Sequence, residues 1–166
     1  MQHSIWYQIG KTEKYMHMFF IDNLKMYNLT FEQGVILFII EEDSQVCITQ
    51  IATKLNKNKA TISREVNSLV KKGFCIKNQP NNRRDISLLL TENGQKALSF
   101  MKSAIKQIDQ EILKSCTQQE IDIFFNILTR MQSIFESRFK GGGGGCFINI
   151  RPVPPKKEEF GGGGCF

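Results

Sequence analysis

The sequence predicts a mainly α-helical fold with a small β-wing, a winged helix-turn-helix set among long dimerisation helices. Three observations predict it. Apolar residues recur at helical spacing over most of residues 4 to 139, short β-prone runs interrupt them only around 74 to 90, and positive charge collects between. From Ile48 to Arg84 there are nine Lys or Arg against one acid, Glu65, a local charge of +8 in a chain whose total is +6. The remainder is therefore slightly acidic, and charge concentrated in this way is the footprint of polyanion binding.

The elements follow in order. Residues 5 to 25 place Ile5, Ile9, Met16, Phe19, Phe20 and Leu24 near helical spacing and predict one long amphipathic helix, weakened at Gly10. Thr30 and Gln33 have capping-box spacing, and the apolar run after them predicts a buried helix over Phe31 to Glu41, ended by Glu42 and Asp43. Thr49 to Leu55 reads as a short helix with Ile51 and Leu55 on one face. After the turn at Asn56 to Asn58, a second helix carries Ile62, Val66 and Leu69 at i, i+4 and i+7 and stops at Gly73. The pair reads as helix-turn-helix. Phe74 to Lys77 and Ile86 to Leu90 then enclose NQPNNRRD, a hairpin with a polar, Arg-bearing tip. Thr91 starts a helix reaching about Lys114 through Leu98, Met101, Ile105, Ile108 and Ile112. Thr117 and Glu120 start the last, with Ile121, Phe124, Leu128, Met131 and Phe135 repeating the three-and-four spacing. These two are expected to form an antiparallel pair, and residues 5 to 24 with 98 to 139 to pair two copies of the chain.

At Gly141 the composition breaks. Glycine blocks of five and four flank a fifteen-residue peptide, and GGGGCF occurs at both 142–147 and 161–166. Such blocks are spacers that bury nothing, so 1–140 is read as the folded body (winged part 30–94) and 141–166 as an appended peptide. Cys146 and Cys165 are placed to close a ring or accept a chemical modification.

Several functions are excluded by what the chain lacks. The longest apolar run, Val35 to Ile40, is far short of the roughly 20 residues that a bilayer span needs, and Lys11, Glu13, Lys14 and Asp22 break up any secretory signal, so a cytoplasmic protein is expected. Five cysteines without a CxxC, and two histidines, do not spell a zinc site. No Gly-rich phosphate loop precedes a P-loop lysine and no histidine stands beside a convincing nucleophile, so neither an enzyme nor a cofactor is expected.

Residues ITQIATKLNKNKATISREVNSLVKKGF followed by QPNNRRDISLLLTENGQKAL resemble the winged-helix core of the MarR family of multiple antibiotic resistance regulators. The family's wing runs Asp-Pro-x-Asp-Arg-Arg, three variable residues, Leu-x-Leu-Thr, two variable residues, Gly. Pro80, Arg83, Arg84, Leu88, Leu90, Thr91 and Gly94 fall in register with it, while Gln79 and Asn82 stand where acids are usual. Asn82 cannot brace a wing arginine by charge. The resemblance implies a homodimeric repressor on a pseudo-palindromic operator in double-stranded DNA, released by a small hydrophobic or phenolic effector.

The residues themselves assign roles within that reading. Thr61, Ser63 and Arg64 near the start of the second short helix are placed for base edges, and Thr49, Lys57, Lys59 and Asn67 for the phosphate backbone. Arg83 and Arg84 are adjacent and project to opposite sides of a strand; resemblance favours Arg84 for the minor groove. Trp6, Tyr7, Phe19, Phe20 and Phe38 are candidates to line an effector cleft, with simple core as the competing role. Cys75 and Cys116 are candidates for redox control instead. A different class is a winged-helix carrier that displays the C-terminal peptide.

Overall fold

Helix boundaries follow local capping chemistry. The computed structural model describes residues 4–79 and 86–139. In order they form α1 (Ile5–Leu24), a 3-10 turn (Lys25–Tyr27), α2 (Phe31–Glu42), α3 (Ile48–Lys54), α4 (Lys59–Lys71), β1 (Cys75–Asn78), β2 (Ser87–Leu90), α5 (Glu92–Lys114) and α6 (Gln118–Phe139). At the start of α2 the Thr30 hydroxyl accepts from Gln33 N while Gln33 Oε1 accepts from Thr30 N, the capping box expected there. Asn58 caps α4 by accepting from Thr61 N at 2.7 Å, and Thr91 caps α5 by accepting from Gly94 N at 3.1 Å. At α6 the Glu120 carboxylate takes hydrogen bonds from the Thr117 backbone N–H and hydroxyl, which hold it below its usual range in that order of weight.

Three helix ends share one solution. Asn28, Asn56 and Gly73 take positive φ (52°, 48° and 78°). Beyond each, an N–H reaches back five residues: Leu29 to Leu24 O, Lys57 to Ala52 O and Phe74 to Leu69 O. This is the Schellman arrangement, in which the left-handed residue lets otherwise unbonded carbonyls find donors. Asn tolerates that conformation better than other side-chain-bearing residues.

The core forms around α2, whose residues Gln33 to Leu37, Ile39 and Ile40 are buried. Against it pack Ile62, Val66 and Leu69 of α4, Ile51 of α3, Leu88 of β2 and Ala97, Leu98 and Met101 of α5. Each such aliphatic side chain contributes about 1.5–3 kcal/mol by leaving water. α1 crosses α2 closely at Gly34, where a Cβ would stand 2.9 Å from Leu24 Cδ1 and Phe20 Cε1. β1 and β2 pair antiparallel from Cys75 opposite Leu90 to Asn78 opposite Ser87. Leu88 N donates to Val46 O, and Cys47 bridges Ser87, so the hairpin base is also fastened to the segment before α3.

The long helices depart from expectation. Only Leu24 of α1 is fully buried, although Ile5, Ile9 and Met16 share its apolar stripe. α5 buries no side chain fully after Met101 and no described side chain of α6 is fully buried. Ile105, Ile108, Ile121, Leu128, Met131 and Phe135 are half-buried, with Phe135 against Trp6 of α1, so the expected stripe is only partly covered within one chain. Ile112, Ile123, Phe124, Phe125, Ile127 and Ile134 remain exposed. The heptad-like spacing forms helix as expected, and the single chain covers its apolar side only in part.

Candidate nucleic-acid interface

α3, the turn at Asn56 and α4 form a helix-turn-helix whose second helix is anchored on one side only. Ile62, Val66 and Leu69 fix α4 to the core, and helical geometry sends Arg64, Asn67 and Lys71 to the opposite side. Thr49, Lys57 and Lys59 are exposed at the near end of the same surface, while Thr61 and Ser63 are half-buried on its flanks. Lys57, Lys59, Arg64 and Lys71 make no ion pair among the described residues, where the three pairs are Lys25–Asp22, Lys96–Glu92 and Lys102–Glu41. The surface thus keeps its positive charge for an external anion.

Two contacts orient its side chains. Arg64 Nη2 lies 3.4 Å from Thr61 Oγ1, one turn back. Lys77 Nζ of β1 donates to Asn67 Oδ1 at 2.7 Å, tying the wing strand to the recognition helix. Lys77 was not singled out from sequence, because the register that sets it opposite Asn67 depends on the hairpin. Another residue missed in this role is Gln33, legible in sequence only as a capping residue. Its amide donates to Glu65 Oε2 and Ser68 Oγ of α4. Arg83 and Arg84 of the expected wing tip lie outside the described residues, as do Cys146 and Cys165.

The five aromatics expected to share a cleft are not brought together. Trp6 and Tyr7 lie on a shallow, solvent-open groove formed by one face of α1 alone, with Gly10, Lys11, Lys14, Tyr15 and Met18. Phe20 instead stacks between Phe31 (5.1 Å) and Phe38 (6.2 Å) where α1 meets α2, and Phe19 lines no part of the groove. The helical repeat separates position 6 from position 20 by four turns, about 21 Å of rise, which sequence proximity to a common stripe had concealed.

The cysteine candidates also divide. Cys75 is fully buried, and burial pushes its thiol up to about 11, with the Lys77 cation only partly opposing. A buried, protonated thiol is a poor oxidant sensor, which corrects the expectation for this residue. Cys116 is exposed at the α5–α6 turn with Sγ 3.7 Å from Ser115 Oγ. No group of potential metal ligands forms among the described residues, and none of their helices is long and apolar enough to cross a membrane.

Comparison with known proteins points the same way as the geometry. Residues 29–86 match the model of the MarR family. The HTH-type transcriptional regulator BilQ of Clostridioides difficile is 26% identical over 118 residues, covering 70% of this chain and 80% of its own. The uncharacterized HTH-type transcriptional regulator YhjH of Bacillus subtilis is 28% identical over 111 residues, 66% of this chain and 58% of its own. Among solved structures, MepR, a transcription regulator of the Staphylococcus aureus multidrug efflux pump MepA, superposes with a TM-score of 0.68 at 20% identity, covering 80% of this chain and 98% of MepR. A putative MarR family regulator from Listeria monocytogenes, complexed with a 26mer DNA, gives 0.68 at 23% identity, covering 87% and 99%.

Proposed function

We propose that this chain, whose residues 29–86 match the MarR family and which is similar to transcription regulators in sequence and fold, is a homodimeric, sequence-specific DNA-binding repressor of that winged-helix type. One observation carries the reading: α4 is held to the core by Ile62, Val66 and Leu69 while its free side presents Asn67 together with Arg64 and Lys71, which have no ion-pair partner among the described residues. A helix so mounted fits the major groove of double-stranded DNA, with Arg64, Thr61 and Ser63 toward base edges and Thr49, Lys57, Lys59 and Asn67 toward phosphates. Lys77 donates to Asn67 Oδ1, and the two hydrogens of the Asn67 amide nitrogen are the donors it would offer a phosphate. Dimerisation is supported by the apolar side chains that α1, α5 and α6 leave in solvent, Trp6 at 75%, Phe124 at 57% and Phe125 at 55% among them. Two such reading heads related by a twofold axis call for a pseudo-palindromic operator with half-sites about 10 bp or a multiple apart. Release by a small hydrophobic or phenolic effector is proposed from the likeness to multiple antibiotic resistance regulators. Residues 1–140 form the regulator in this account, and 141–166 an appended peptide.

The test is a fluorescence anisotropy titration against the duplex that the chain selects from a randomised library, repeated over a salt series. Affinity should fall steeply with salt, and Lys57→Ala should weaken all sequences alike while reducing the log–log slope by about 1. Arg64→Ala should relax discrimination at one base position by about 1–3 kcal/mol. Arg84→Ala should weaken binding at least about tenfold if the wing enters a minor groove. Salt-independent or sequence-blind binding would refute the proposal.

A further inference from the structure

Resting on that DNA-binding reading, we propose that Gln33 is a positioning residue for the recognition helix, clamping α4 to the corner between α1 and α2. Gln33 is 3% exposed, one of two buried polar residues among those described. All four hydrogen-bonding positions of its amide are occupied. Oε1 accepts from Thr30 N at 3.3 Å and from Lys72 Nζ at 3.0 Å, and Nε2 donates to Glu65 Oε2 at 2.9 Å and to Ser68 Oγ at 3.2 Å. Lys72 Nζ donates in addition to the carbonyl of Asn28, in the left-handed turn that ends the 3-10 segment after α1.

The spacing gives the clamp its meaning. Glu65, Ser68 and Lys72 stand at i, i+3 and i+7, a single stripe spanning two turns of the recognition helix. Apolar packing by Ile62, Val66 and Leu69 opposes withdrawal of α4 but tolerates small rotations and slides, because dispersion is weakly directional. Hydrogen bonds are directional, and a buried amide that loses partners bears the full cost of its desolvation. Rotation of α4 about its axis would therefore strain three contacts to one fixed amide together. That rotation is what would move Arg64 and Asn67 across base edges. The other end of the clamp is the Asn28–Thr30 corner, so a displacement of α1 relative to α2 reaches the DNA-facing side chains through this polar link as well as through the apolar core.

The donor–acceptor pattern supplies a test that simple loss of stability cannot mimic. Gln33→Glu sets a carboxylate against the Glu65 carboxylate. Adding Glu65→Gln restores a donor to that contact, the Ser68 hydroxyl can turn to donate, and Lys72 and Thr30 N still donate. The full chain, Gln33→Glu, and the Gln33→Glu/Glu65→Gln pair are compared by amide hydrogen exchange and by anisotropy on the duplex selected by the unmutated chain. We expect Gln33→Glu to speed exchange over residues 59–71 well beyond its effect on α5, and to weaken binding about tenfold; the double variant should return both to within about threefold. Unchanged exchange in Gln33→Glu, an increase spread evenly over α4 and α5, or no recovery in the double variant would overturn the clamp. If the unmutated chain selects no duplex, the DNA reading fails, while the exchange result still decides whether Gln33 positions α4.

Discussion

Replacing Gly94 by Ala should destabilise this fold, whereas the same change at Gly10 should stabilise it. Within a helix, Gly to Ala ordinarily gains about 1 kcal/mol, because glycine has more backbone entropy to lose. At Gly10 a Cβ would meet nothing within 4 Å, so that gain survives. At Gly94 the Cβ would lie 2.1 Å from the Phe74 carbonyl oxygen and 3.3 Å from Leu90 Cδ2. A carbon sits against such an oxygen at about 3.3 Å, so α5 and β1 would have to part by roughly 1 Å. That displacement breaks the bond from Thr91 N to Phe74 O (3.1 Å) and the one from Thr91 Oγ1 to Gly73 O (2.6 Å). Overpacking costs about 1–3 kcal/mol and each lost bond about 1, which leaves a net loss of about 2–4 kcal/mol after the propensity gain. For a chain of this size Gly94→Ala should lower Tm by about 4–16 °C and Gly10→Ala raise it by about 2–4 °C. Far-ultraviolet circular dichroism melts at one protein concentration measure both. A Gly94→Ala variant melting at or above the unmutated chain would refute the steric argument.

Two further outcomes follow from surfaces and thiols. Phe124→Glu with Phe125→Glu should convert the protein from twice its 19.1 kDa mass to monomer in sedimentation velocity while its helical spectrum is kept; an unchanged dimer would remove α6 from the pairing surface. Iodoacetamide should label Cys116 in the native chain and reach Cys75 only on unfolding. Because the folded state raises the Cys75 thiol from its ordinary 9.0 to about 11, it holds that proton more tightly than the unfolded chain does. The associated stability is present below pH 9 and is lost as pH rises toward 11. Urea midpoints should therefore fall more between about pH 8 and about pH 10.5 than they do for Cys75→Ala, and equal falls would contradict the burial argument.

Much of this architecture was legible because local chemistry decided it. Thr30 with Gln33, Thr91, and Thr117 with Glu120 start helices by hydrogen bonds between near neighbours, and Gly73 ends one by a backbone conformation that sequence announces. The amphipathic spacing of Ile62, Val66 and Leu69 equally fixed which side of α4 faces outward. What escaped depended on distance. That Gln33 reaches residues 65, 68 and 72, or that Lys77 holds Asn67, follows from how α2 and β1 lie against α4, and no local pattern encodes it. The stripes on α1 and α6 misled in another way. Periodicity marks a helix side that avoids water, but it does not say whether the same chain covers it. Neither does proximity of aromatics along a helix make a pocket, as the separation of Trp6 from Phe20 shows.

The buried apolar residues among those described all fall between Leu24 and Met101, and neither the first four turns of α1 nor any described part of α6 adds a fully buried side chain. Every fully buried side chain beneath the helix-turn-helix is therefore contributed before α6 begins. A chain cut after Lys114 would keep all of them, so proteolytic loss of α6 would leave α4 mounted as it is.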